Sequence, residues 1–110
     1  MILITGPMYS GKRAYAKQLL GLTDEAFEQK VFCPLDTLVG NTTDIESLVA
    51  QAKSYEAVIL PEMGSGVVPM DKEQNALREA CGALAQALAA EAGTVVRVLC
   101  GIPRLMKGTL

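Results

Sequence analysis

The sequence predicts a three-layer α/β domain on a mostly parallel sheet of four strands or slightly more. Three observations lead there. Short apolar runs alternate with stretches of helical periodicity from one end of the chain to the other. The runs are continuous rather than apolar-polar alternating, as expected of strands buried on both faces. The length of 110 residues, half of them apolar, fits one domain over 1–110, with neither a linker nor an internal repeat.

The elements follow in order. Residues 1–5 are apolar and β-branched and run into Gly6, which reads as a buried strand. From Gly11 to Leu20 the pattern turns helical, with Ala14, Tyr15, Leu19 and Leu20 apolar and Gly21 placed to close the helix. Residues 30–33 read as a second strand ended by Pro34. Thr43 and Glu46 have the spacing of a capping box, opening a helix to about Lys53 with Ile45, Leu48, Val49 and Ala52 on one face. Residues 57–60 form a third strand, stopped by Pro61. Asp71 and Gln74 cap the longest helix, whose buried stripe is Leu77, Cys81, Leu84 and Leu88, widened by Ala80 and Ala87. Residues 94–100 form the fourth strand, and 101–110 read as a tail rich in Gly, Pro and basic residues. Strand-helix alternation of this kind specifies parallel strands joined by right-handed crossovers.

The first strand-helix junction carries the chemistry. Gly6-Pro7-Met8-Tyr9-Ser10-Gly11-Lys12-Arg13 fits G-x-x-x-x-G-K, directly after a strand and directly before a helix. In such a loop the glycines let successive N–H groups turn inward around phosphate oxygens, the helix adds its positive end, and Lys12 reaches the outer phosphates. The fold expected is therefore P-loop NTPase-like, with residues 6–13 binding ATP or GTP. The plainer reading is a glycine-rich turn with a surface lysine. Position 13 departs from the pattern. A Ser or Thr hydroxyl there is a ligand of the Mg²⁺ that bridges the phosphates, whereas Arg13 has no acceptor. Either Arg13 faces the phosphates and its charge opposes a metal, or it points away as a surface residue. In both cases the hydroxyl is missing, so Mg²⁺ is doubtful and no metal ligand is assigned.

Composition narrows the rest. Ten Lys and Arg against twelve Asp and Glu give a formal charge of −2, which argues against a nucleic-acid partner. No histidine is present, which removes imidazole bases, phosphohistidine and histidine-ligated metals. Cys33, Cys81 and Cys100 form no C-x-x-C pair and read as small apolar residues in a reducing compartment. The start has no basic n-region, and no apolar stretch approaches the roughly 20 residues of a membrane span. A cytoplasmic protein without a membrane partner is expected.

At this point the sequence resembles the adenosylcobinamide kinase/adenosylcobinamide-phosphate guanylyltransferase family of cobalamin assembly. The start, MILITGPMYSGKR, is similar to that family's first strand and its GGxRSGKS loop. Glu62-Met63-Gly64-Ser65-Gly66-Val67-Val68-Pro69 resembles its NEVGxGIVP segment, with Pro61 in place of the leading Asn. Leu77 to Gly82 resembles its FRDxxG helix, Gln86, Leu88 and Ala89 fall in the register of NQxLA, and Gly101-Ile102-Pro103 resembles the SGIP-type tail with Lys107 as its lysine. The resemblance covers residues 1–20 and 56–107. It implies a P-loop α/β fold, a ring-like homo-oligomer, phosphorylation of a cobinamide-type substrate, and GMP transfer through a nucleotidylated histidine. The chain departs from the family in lacking most of its middle section, in having no histidine, and in Arg13. Without histidine the guanylyltransferase half is lost on chemical grounds.

Lys12 and Glu62 are the catalytic candidates. Glu62 follows the third strand at its carboxyl end, where it would orient a metal-bound water or accept a substrate proton. The alternative is a solvated loop carboxylate or one that caps a turn. Asp36, just after the second strand, would approach the same crevice. Arg78 and Arg104 read as solvated basic positions, and Gly64 and Gly66 as requirements of a tight turn. The apolar tail residues Ile102, Leu105 and Met106 suggest burial between subunits of a homo-oligomer. A nucleotide-binding kinase of this family and a degenerate member serving as a regulatory or scaffolding subunit both fit these residues.

Overall fold

The apolar runs that begin at residues 2, 57 and 94 become the three central strands of a five-stranded sheet. The computed structural model describes residues 1–7, 10–34, 44–62 and 72–109, with the backbone alone for 72–75. In chain order the elements are β1 (Ile2–Gly6), α1 (Lys12–Leu20), α2 (Asp24–Lys30), β2 (Val31–Phe32), α3 (Ile45–Ala52), β3 (Ala57–Pro61), α4 (Lys72–Glu91), β4 (Thr94–Leu99) and β5 (Ile102–Lys107). The sheet order is β2-β3-β1-β4-β5, with β1, β2, β3 and β4 parallel and β5 antiparallel to β4. This is the α/β architecture the sequence predicts.

Side-chain alternation along the central strands divides the core into two layers. Leu3, Val58, Leu60 and Val95 meet Leu48 and Ala52 of α3 and Cys81, Leu84 and Leu88 of α4. Ile4, Ile59, Val96 and Val98 turn to the opposite face, against Ala16 of α1 and Phe27 of α2. Each fully buried Leu, Ile or Val contributes about 1.5–3 kcal/mol of apolar burial. The expected stripe of α4 is confirmed: Cys81, Leu84 and Leu88 are buried, and Leu77, Ala80 and Ala87 are half-buried. Gly21 closes α1 in the left-handed conformation, its N–H donating to Lys17 O.

Four expectations are corrected. First, residues 24–30 form α2. Thr23 caps it by accepting from Ala26 N–H at 3.2 Å, Asp24 and Glu25 fill its first turn, and Phe27 is buried. Second, α2 takes Lys30 as its last residue, so β2 is only Val31–Phe32 rather than 30–33. Third, the cap of α3 is Asp44, whose carboxylate accepts from Glu46 N–H at 3.0 Å; this puts Glu46 at the second helical position, too early for a capping box. Thr43 lies outside the described residues, as do Asp71 and the side chain of Gln74.

Fourth, the tail is a strand. Cys100 (φ 53°) and Gly101 (φ 74°) are both left-handed, as a two-residue type I′ hairpin turn requires. They fold β5 back on β4 with Leu99 opposite Ile102. Pro103 is accommodated because β5 is an edge strand with one side unpaired. All six residues of β5 are exposed, and Leu99, Ile102, Leu105 and Met106 are its exposed large apolar side chains, with Leu99 contributed from β4.

Candidate phosphate-binding site

The carboxyl ends of β1, β3 and β4 converge on the loop that follows β1. Brought between β3 and β4, that loop is tied from both sides by backbone hydrogen bonds. Glu62 N–H, just past β3, donates to Gly6 O at 2.8 Å, and Gly101 N–H, in the β4–β5 turn, donates to Ser10 O at 2.7 Å. Gly6 has a φ of 146°, and a Cβ there would lie 2.2 Å from Val98 O. No other residue fits that approach. Gly11 has a φ of 93° and hands the chain into α1.

Lys12 opens α1 and is nearly buried, with 8% of its surface exposed. Its ammonium folds back over the loop, donating to Pro7 O and, at 3.3 Å, to Ser10 Oγ. Among the described residues it has no carboxylate within ion-pair distance. Burial pushes its pKa down and the nearby Glu62 charge partly opposes this. The loop thus holds a cation among neutral acceptors at the positive end of a nine-residue helix. Such a position favours an anion.

Arg13 points away from the loop. It is exposed, its guanidinium lies 5.4 Å from the ring centroid of Phe27 in α2, and Nη2 is 3.9 Å from Cys33 Sγ. Lys17, one turn further along α1, lies 5.4 Å from the same ring and pairs with Asp24. The two cations at i and i+4 share one helix face, and that face is turned to α2. Of the two sequence readings of Arg13, the surface one holds.

Glu62 is neither a free loop carboxylate nor a turn cap. Arg97 of β4 donates to it through both sides of the fork, Nε to Oε1 at 2.7 Å and Nη2 to Oε2 at 3.0 Å. The hydrogen bonds from Arg97, with smaller contributions from the Arg97 and Lys12 charges, hold its carboxyl below the usual 4.5. The pairing therefore stabilises the fold above that usual value, and the stabilisation is lost as the pH falls through the depressed one. A carboxyl held below its usual range accepts a proton less readily than a free one. Arg104 of β5 sits directly opposite Arg97 across the antiparallel ladder, so two guanidiniums start from neighbouring positions, and Glu62 pairs with Arg97.

Arg97 is the residue that reading the sequence missed. Its signal was available: it is the sole charge in the run TVVRVL, in a strand otherwise composed for burial. Met8, Tyr9, Asp36, Gly64 and Gly66 lie outside the described residues. Arg78 is exposed on α4. The described residues do not reproduce the usual set for Mg²⁺ in such a loop, a hydroxyl after the lysine and an unpaired carboxylate. The side chain at position 13 offers no oxygen, and each oxygen of Glu62 already accepts from Arg97. Among the described residues no group of three or more His, Cys, Asp or Glu gathers, and no helix is long and apolar enough to cross a membrane.

A family model described as cobinamide kinase / cobinamide phosphate guanyltransferase matches residues 35–106. The match takes in the Glu62 segment, α4 and the β4–β5 hairpin. It also takes in residues 35–55, which the resemblance read from the motifs left out, and it begins after the loop at 6–13. No curated protein matches the chain.

Because Arg13 packs on Phe27 rather than facing the loop, its removal should register as stability and not as binding. Arg13→Ala is expected to lower the unfolding free energy by about 0.5–1 kcal/mol, the range of an exposed cation–π contact. Urea titration measures that change, and phosphate binding by the same variant should equal the parent's.

Proposed function

The chain belongs to the cobinamide kinase / cobinamide phosphate guanyltransferase family, and from that premise we propose that residues 6–13 bind the phosphates of ATP or GTP. The observation that carries this reading is the placement of Lys12. A nearly buried ammonium, facing a carbonyl and a hydroxyl rather than a carboxylate, sits over a loop whose two glycines take conformations open to few other residues. Gly6, Gly11 and the start of α1 supply the backbone cradle, with Pro7 and Ser10 completing its described wall. Met8 and Tyr9 belong to the same loop by sequence.

The family match relates the chain to cobalamin assembly, and a cobinamide-type alcohol is the substrate that a kinase reading implies. For phosphoryl transfer Glu62 would accept a hydrogen bond from that alcohol rather than carry away its proton, since Arg97 keeps it ionised. The same pairing favours a second reading, a regulatory or scaffolding member that binds nucleotide without turnover. Guanylyl transfer through histidine is absent from both, because the chain has none. The partner proposed for the edge strand β5 is a second copy of the chain, covering Ile102, Leu105 and Met106.

Three outcomes test these readings. Calorimetric titration with ATP and GTP should show binding by the parent, and Lys12→Ala should weaken it by about 1.5–3 kcal/mol, the range for a hydrogen bond to a charged group. Equal affinity in the two proteins would remove Lys12 from the site. Incubation with radiolabelled GTP followed by denaturation should leave no acid-labile GMP on the chain. Light scattering at micromolar concentration should give a mass above that of one chain, and a monomer would leave β5 without its proposed partner.

A further inference from the structure

Arg97 occupies an unusual place for a guanidinium. It interrupts the apolar run of β4, a central strand, at the sheet's carboxyl end where the phosphate loop begins. Its register partner on β1 is Thr5, the residue before Gly6. Through Nε and Nη2 it takes both oxygens of Glu62. Glu62 in turn is fixed to the loop by its own N–H on Gly6 O, and its charge is felt by Lys12. Cation, carboxylate and loop therefore form one connected unit.

In a P-loop site a divalent cation commonly stands between a carboxylate at the end of a neighbouring strand and the outer phosphates, with a loop hydroxyl as a further ligand. Both protein ligands of that arrangement are altered here. The hydroxyl position is Arg13, which is turned to Phe27. The carboxylate is Glu62, and what it holds is Arg97. A guanidinium has five N–H donors, and the bidentate pair uses one from Nε and one from Nη2. Nη1 makes no hydrogen bond among the described residues, and the side chain is 40% exposed. Arg97 therefore keeps N–H donors beyond those that Glu62 takes, as a bridging cation would require. Arg104, opposite on β5, adds positive charge that Glu62 alone does not cancel.

We infer that Arg97 takes the place of the divalent cation: anchored by Glu62, it presents its remaining N–H donors to the terminal phosphates of a nucleotide, so that ATP or GTP binds without a metal. This rests on the nucleotide reading given above and adds to it a metal-independent mode of binding. Arg97 acts through fixed charge and hydrogen bonds alone, with no bond made or broken. A planar fork suits phosphate oxygens as it suits a carboxylate.

The test is calorimetric titration of ATP and GTP in EDTA and in Mg²⁺, on the parent, Arg97→Leu, Arg97→Lys and Arg97→Leu/Glu62→Gln. The parent should bind equally in the two conditions. Arg97→Leu should lose about tenfold or more in EDTA, the scale of a lost hydrogen bond to a charged group. It should regain part of that in Mg²⁺, because Glu62 is freed for a metal. Arg97→Lys, which keeps the charge without the fork, should fall between parent and Arg97→Leu in EDTA. The double variant should lose the Mg²⁺ response. If Arg97→Leu does not fold, the parent's two conditions and Arg97→Lys decide the matter. Binding by the parent that requires Mg²⁺, or an Arg97→Leu affinity in EDTA equal to the parent's, overturns the inference and leaves the nucleotide reading standing. A parent that binds neither nucleotide in either condition overturns both.

Discussion

The structure turns on the absence of a side chain at Gly6. There β1 ends 2.2 Å, measured from where a Cβ would sit, from the Val98 carbonyl of β4. That approach lets the loop lie in the crevice between β3 and β4 rather than above it. Once it is there, the N–H groups of Glu62 and Gly101 reach its two ends. The candidate residues Lys12, Glu62 and Arg97 come from α1, from just past β3 and from β4, and the backbone of β1 is drawn down among those elements. A Cβ at Gly6 would push on a backbone carbonyl in the middle of the sheet, where no side-chain rotation relieves it.

The helix α2 shows how a small element decides a site it does not touch. It contributes one buried side chain, Phe27, and its ring collects Arg13 and Lys17 from the outer face of α1. The charge at position 13, which by sequence threatens the phosphate site, is thereby spent on packing. What remains at the loop is Lys12, whose side chain follows the opposite course into the interior. Adjacent residues of a helix diverge by about 100°, and here that divergence sends Arg13 to the Phe27 ring and Lys12 back over the loop.

Much of this was legible in the sequence, and the losses have physical causes. The three central strands, the long helix and its stripe were readable because continuous apolar runs and a period near 3.6 persist over many residues. The loop at 6–13 was readable because its glycines and lysine stand in a fixed relation to a strand and a helix. The helix α2 was missed because seven residues with one apolar anchor carry almost no periodicity. The strand β5 was missed because Pro103, Arg104 and Lys107 look like a tail, and its turn, Cys100-Gly101, lacks the usual Asn or Asp before glycine. Missing α2 left the direction of Arg13 open, and missing β5 hid the charge opposite Arg97. The Arg97–Glu62 pair joins positions thirty-five residues apart, and no local pattern reports such a contact.

The site's three charged groups divide by burial, and the division sets what each can do. Lys12 is nearly buried and donates to neutral acceptors, so its charge is less screened than one at the rim. The Glu62–Arg97 pair lies at the rim, with side chains 35% and 40% exposed. Solvent screens it, and such pairs hold weakly against competing partners. An anion bound there as proposed would meet one buried cation and one solvent-screened pair. The buried group provides attraction without rearrangement. The exposed pair is tied to the loop through the Glu62 backbone N–H, which donates to Gly6 O. Depth in the crevice, rather than residue type, separates the buried cation from the screened pair.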